Sequence, residues 1–180
     1  MTLKANYQLM NVDEMRGTLN RLASEILTAH AGRDLVLVGI HRRGVPMAQR
    51  MAAILSEKTG TKPQLGILDI NLYRDDLTHA AVQPIVRRSE LPSDIDGKDV
   101  ILIDDVLYTG RTVGAALRAL TDYGRMRTIQ LVVFVDRGHR ELPIEANFVG
   151  RKIPTKDNEV VEVRLTEIDG EDAIYVMETA

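Results

Sequence analysis

Two kinds of hydrophobic pattern alternate along the chain. Between Asn11 and Ala31, Met15, Leu19, Leu22 and Ile26 recur at the spacing that lines one face of a helix. Asn11 or Asp13 supplies an N-cap, and Gly32 a stop. Residues 35–40 (LVLVGI) are short, continuous and aliphatic, as in a strand buried on both faces. Pro46 suits the first turn of a helix that runs to about Lys58 and stops near Gly60. Residues 65–72 (LGILDINL) predict another strand, and residues 74–81 an exposed loop. A strand from about Val100 to Asp104 follows. The next helix, from about Arg111, carries Val113, Leu117, Leu120 and Tyr123 on one face and has Gly124 at its end. Residues 129–135 (IQLVVFV) give a further strand.

Continuous strands alternating with amphipathic helices predict right-handed βαβ units: an α/β fold with a twisted parallel sheet core flanked by helices. The tail differs. Residues 160–165 (VVEVRL) alternate, 168–172 (IDGED) read as a turn, and 173–177 (AIYVM) can pair back as a small antiparallel appendage. With no internal repeat or linker, the 180 residues read as a single domain spanning 1–180.

Composition narrows the function classes. Hydrophobic residues make up 44% and charged residues 27%, as in an ordinary soluble globular protein. No apolar run approaches the ~20 residues that span a bilayer. The first residues lack the basic-then-apolar layout of a secretory signal, so a cytoplasmic location is expected. The chain has no cysteine, which excludes disulfides and thiolate metal sites. At a net charge of −3, a site for a polyanion has to be a local basic patch.

The candidate chemistry sits in 100–112 (VILIDDVLYTGRT). In an open parallel sheet, ligands bind at the carboxyl ends of strands, where Asp104 and Asp105 fall. Two neighbouring carboxylates can accept hydrogen bonds from a vicinal diol such as a ribose, or hold Mg²⁺ through oxygen. Residues 109–112 (TGRT) then open a helix. Gly110 permits close backbone approach, and hydroxyls, N–H groups and the helix dipole favour an anion. A diol site followed by a phosphate cradle describes a ribose 5-phosphate site. Acidic strand ends can also simply cap the next helix, and a lone TGRT is a weak signal. A Walker A loop and a Rossmann GxGxxG are absent, and a receiver domain carries its acidic pair near its start.

VILIDDVLYTGRT resembles the 5-phosphoribosyl-1-pyrophosphate (PRPP) motif of type I phosphoribosyltransferases. Together with 39–44 (GIHRRG), 69–78 (DINLYRDDLT) and 135–155 (VDRGHRELPIEANFVGRKIPT), it resembles the PyrR family, bifunctional pyrimidine-operon attenuators and uracil phosphoribosyltransferases. The resemblance covers nearly the whole chain, and DRGHRELPI is its most specific part. It implies a type I phosphoribosyltransferase fold and transfer of ribose 5-phosphate from PRPP to N1 of uracil, giving UMP and pyrophosphate, with Mg²⁺ as cofactor. The expected assembly is a homo-oligomer, a dimer or larger, with no membrane partner.

The same resemblance implies the roles of particular residues. Asp104 and Asp105 would hold the ribose hydroxyls, favour the developing oxocarbenium charge and share Mg²⁺ with the substrate. Thr109, Gly110, Arg111 and Thr112 would grip the 5-phosphate. His41, Arg42 and Arg43 belong to the pyrophosphate loop, and Arg74, in the loop expected to close over PRPP, would join them as a catalytic contact. Arg137, Phe148 and Val149 would meet the base, with Phe148 stacking on the pyrimidine. His139 is in the motif with a loop-structuring role as an alternative.

The regulatory half requires a basic face for pyrimidine operon leader RNA, with Arg16, Arg21, Arg140, Arg151 and Lys152 as candidates. Glu145 stands where family members commonly carry a basic residue. The alternatives are an RNA-binding regulator with little catalysis and a purine phosphoribosyltransferase, which shares the PRPP motif but not DRGHRELPI.

Overall fold

The chain begins with a strand that the hydrophobic pattern does not announce. In the computed structural model, which describes residues 3–73 and 89–179, β1 (Leu3–Met10) pairs antiparallel with the last strand, β8 (Ala173–Thr179). Residues 4–8 are exposed, and Leu9 and Met10 at its end contribute to the core. A three-stranded sheet in the order β1-β8-β7 results, with β7 at Glu159–Arg164. This is the expected appendage, with the N-terminus added.

Helix α1 (Val12–Ala29) starts at Asn11, whose side chain accepts from the N–H groups of Asp13 and Glu14 while Glu14 bonds back to the Asn11 N–H. This capping box settles the start in favour of Asn11. The main sheet has the order β3-β2-β4-β5-β6 and every pairing in it is parallel. Its strands are β2 (Leu35–Ile40), β3 (Gln64–Leu68), β4 (Asp99–Leu107), β5 (Thr128–Asp136) and β6 (Phe148–Lys152). Helix α1 and helix α2 (Gly44–Thr59) cover one face, packing on Leu37, Ile101, Ile103, Val132 and Phe134. Helix α3 (Arg111–Thr121) covers the other, against Val36, Val38, Val100, Leu102 and Val133. Burial on both faces is why these strands read as unbroken aliphatic runs.

Several elements differ from the sequence expectation: α3 ends at Thr121, before the Tyr123 expected on its packed face, which is exposed. β3 ends at Leu68 rather than continuing to Leu72, because the Asp69 carboxylate accepts the Asn71 N–H and turns the chain into a short 3-10 segment, Asn71–Tyr73. β4 does not stop at Asp104 but runs through both aspartates to Leu107, which pairs with Asp136. β6 was not expected as a strand at all. The loop predicted over 74–81 lies outside the described residues.

At the amino ends of the strands, buried Asp99 accepts from Arg127 (2.5 and 2.8 Å) and Thr128 and meets His30 at 3.2 Å. The Arg127 hydrogen bonds hold its carboxyl far below the usual carboxylate range. Among the described residues, no helix is long and apolar enough to cross a membrane.

Candidate active site

The sheet order reverses between β2 and β4. The chain leaves β2 through α2 toward β3 on one side, and leaves β4 through α3 toward β5 on the other. Crevices at such switch points are where open α/β sheets bind ligands. Two loops meet there, residues 41–43 after β2 and residues 108–110 after β4.

The first loop is pressed onto β4. A Cβ on Gly44 would lie 2.2 Å from the Ile103 carbonyl oxygen, and one on Gly39 would lie 2.5 Å from the Gly44 oxygen. Only glycines allow this approach, which sets the loop directly beside Asp104 and Asp105. The His41 N–H donates to the Leu68 oxygen, and the His41–Arg42 peptide is cis. Arg42 is exposed. Arg43 donates to Asp169 at 3.0 Å, and its Nε is a buried donor with no acceptor among the described residues. Its charge also bears on Asp105.

The two carboxylates are crowded, with Asp104 buried and Asp105 half-buried. The Asp105 N–H donates to Asp104 Oδ1 at 3.0 Å, and the Val106 N–H to Asp105 Oδ1 at 2.9 Å. Burial, then the Asp105 charge, pushes the Asp104 carboxyl well above the ordinary carboxylate range. Burial pushes Asp105 up as well, opposed in part by its hydrogen bond with Asp104 and by the Arg43 cation. Such a pair suits a ligand that donates hydrogen bonds or carries positive charge. It also fits an oxygen-liganded Mg²⁺ whose remaining ligands come from substrate, since among the described residues no third carboxylate or histidine completes a protein-only site.

The second loop is held by the DRGHRELPI run, from which the sequence reading expected a base contact at Arg137 and an RNA contact at Arg140. Arg140 donates to the carbonyls of Tyr108 (2.6 Å), Gly138 (3.2 Å) and Ile144 (3.0 Å) and to the Asp136 carboxylate (2.5 Å). The N–H groups of Glu141 and Leu142 both donate to the Thr109 oxygen. Gly110, at φ +90°, caps α3 with Ile144 and Leu142 closely behind it. The carbonyls of the turn are thus held from behind, while at the start of α3 the Arg111 N–H donates to Thr109 Oγ1 at 3.3 Å, and a helix opening of this kind suits an anion. The Arg111 guanidinium bonds to Glu141 at 2.6 Å, so the backbone, with the Thr109 and Thr112 hydroxyls, is what that residue run offers to a phosphate.

Other expected site residues lie elsewhere. Phe148 is 8% exposed and packs into the α1–α2 side of the core. It pairs with Val132, four residues or about 13 Å before the end of β5, too far back to stack on a base at the strand ends. Val149, next to it, packs on the α3 side, and its oxygen accepts from Arg21. Arg137 is near the crevice but consumed: it is 4% exposed and donates to Thr155 Oγ1 and the carbonyls of Lys156 and Glu159. Arg74 lies outside the described residues.

Of the cations expected to face RNA, Arg140 belongs to the scaffold just described. Arg21 ties α1 to β6 through the Val149 and Gly150 carbonyls and to Glu25. Arg151 donates to the Leu9 oxygen. Arg16, near Asp13 at 3.4 Å, and Lys152, 3.9 Å from Glu145, keep mostly exposed side chains.

An acid pair and a backbone anion cradle at a switch point define a phosphoribosyltransferase-like site, and the phosphoribosyl transferase domain model matches residues 8–167. A hypoxanthine phosphoribosyltransferase from Staphylococcus aureus superposes with a TM-score of 0.70 at 25% identity, over 95% of this chain and 92% of that one. One from Trypanosoma cruzi reaches 0.76 at 21% identity, over 97% and 96%. Closer in sequence are proteins named bifunctional protein PyrR. That of Thermus aquaticus is 55% identical over 172 residues, 95% of each chain, and that of Chloroflexus aurantiacus 54% over 171 residues, 94% of each. The chain belongs to the PyrR family of phosphoribosyltransferases.

Proposed function

We propose that the protein is a uracil phosphoribosyltransferase, converting uracil and PRPP to UMP and pyrophosphate, and that its UMP-bound form binds the leader RNA of pyrimidine genes as an attenuator. The observation that carries this reading is the meeting of the acid pair, the backbone anion cradle and the 41–43 loop at one switch point, in a chain of this family.

The 5-phosphate of PRPP binds at the N–H groups of residues 109–112, where it takes no part in the reaction but anchors the ribose. Asp104 and Asp105 accept from the ribose hydroxyls. Their charge, expensive to hold in a buried site, is best compensated when positive charge develops at C1 in the transition state. The buried Arg43 Nε and the N–H groups of Arg42 and Arg43 face the leaving pyrophosphate, the His41 N–H being held by the Leu68 oxygen. A Mg²⁺ held between the acid pair and substrate would neutralise the leaving group. Nothing in this scheme needs a strong base; orientation and charge supply the rate.

Exposed Arg16 and Lys152 remain to meet RNA phosphates, with Glu145 lowering the local potential beside Lys152. Radiolabelled uracil, PRPP and Mg²⁺ should yield UMP; no product rejects the enzymatic half. Titration of leader RNA at fixed salt should show tighter binding with UMP than without. An affinity equal to that for unrelated RNA rejects the regulatory half.

A further inference from the structure

Two arginines of α2 are held by the antiparallel appendage. Arg43 caps the helix, and Arg50 lies seven residues on, about two turns further along the same face. Both reach the turn between β7 and β8, where a short helix, α4 (Thr166–Asp169), carries Glu167 and Asp169. Arg50 donates to both oxygens of Glu167, at 2.7 and 2.6 Å, and to both of Asp172, at 2.9 and 2.8 Å. Asp172 also accepts the Thr166 N–H at 2.8 Å. A planar guanidinium matched by two carboxylates pins the turn to α2.

From this pinned turn, Asp169 holds Arg43. One Asp169 oxygen accepts from Arg43 at 3.0 Å, and the other accepts the Leu165 N–H at 2.9 Å. Burial works against the Asp169 charge, but the Leu165 N–H and the Arg43 cation outweigh it and hold the carboxyl below its ordinary value. The Arg43 and Asp169 side chains are 29% and 19% exposed, so water screens the pair only in part. Asp169 engages one terminal nitrogen of the guanidinium, and the buried Nε has no acceptor among the described residues. An anionic oxygen would satisfy that donor. We propose that Asp169 is a positioning residue for pyrophosphate: it fixes the Arg43 guanidinium so that the leaving group meets it already oriented. The inference rests on the phosphoribosyltransferase reading above. It gives the appendage a part in the reaction, where the sequence pattern marks 168–172 only as a turn.

The test measures binding of PRPP with Mg²⁺, and of UMP separately, by titration calorimetry. It compares the unaltered protein, Asp169→Asn, Arg43→Met and the double variant. UMP has no pyrophosphate, so it reports on the rest of the site. The asparagine oxygen can still accept the Leu165 N–H, and the ion pair with Arg43 is what is lost. Asp169→Asn should weaken PRPP about tenfold or more and leave UMP within about twofold. In the Arg43→Met background the same substitution should have no further effect on PRPP, because the group it orients is gone. PRPP affinity within about twofold of the parent in Asp169→Asn overturns the proposal. Equal weakening of PRPP and UMP also overturns it, since Asp169 would then support the fold at large. A further tenfold loss in the double variant does the same, because Asp169 would then act without Arg43. An unaltered protein that binds neither PRPP nor UMP is a separate outcome: it rejects the phosphoribosyltransferase reading and the inference with it.

Discussion

Replacing Arg140 with methionine removes the cation that ties Asp136 to the phosphate turn, while a side chain of similar length remains. The arginine makes bonds of 2.5–3.2 Å to one carboxylate and three carbonyls, and methionine donates none. Asp136 is 7% exposed and would keep only the Gly138 N–H, at 3.1 Å, of the donors now bonded to it. Removing one partner of a buried ion pair costs about 3–5 kcal/mol. Water reaches the Arg140 side chain, which is 23% exposed, so about 3 kcal/mol is expected. For a chain of this length that lowers Tm by roughly 6–12 °C. The released carbonyls of Tyr108, Gly138 and Ile144 should also let the cradle drift, reducing kcat/KM for PRPP by up to about 100-fold. Thermal unfolding and steady-state kinetics read both effects. Adding Asp136→Asn should recover about half of the lost stability, because the stranded charge is gone, without restoring PRPP affinity. If Arg140→Met leaves Tm and the KM for PRPP unchanged and weakens only RNA binding, Arg140 faces RNA and the scaffold role is refuted.

Gly44→Ala places a methyl group 2.2 Å from the Ile103 oxygen, where only backbone can yield, and should lower kcat/KM by more than about 100-fold through displacement of the 41–43 loop; activity within about twofold of the parent contradicts the tight packing. Asp105→Asn should fold normally and lose orders of magnitude in kcat, and retention within about threefold removes that carboxylate from the chemistry. Asp104→Asn tests the cost of the crowded pair. The folded state holds the Asp104 proton more tightly than the unfolded chain, so this group's stabilising contribution is full below pH 3.8 and is lost as pH rises through the raised value. The variant should therefore unfold at a higher Tm than the parent at neutral pH, with the gap closing toward pH 3.8; a gap constant with pH rejects the burial argument.

The elements legible in the sequence were those with one dominant pattern. Doubly buried β2 and β5 appeared as aliphatic runs, and α1 and α2 announced their ends through Asn11 and Gly60, which caps α2 at φ +73°. β1 and β6 escaped because their signal is tertiary. β1 is an edge strand with polar, exposed residues, ordered by pairing with a partner at the other end of the chain. β6 carries Gly150, Arg151 and Lys152, which read as a loop until its pairing with β5 is known. The acid pair and the TGRT cradle were visible because their chemistry is local in sequence. Stacking was assigned to Phe148 for want of the β6 register, which places that ring in the core beside Val132.

A crystal structure of the UMP complex tests the central claim most directly. It should show the 5-phosphate on the N–H groups of residues 109–112 and the ribose hydroxyls on Asp104 and Asp105. UMP bound elsewhere, with the crevice between β2 and β4 empty of phosphate, would contradict it.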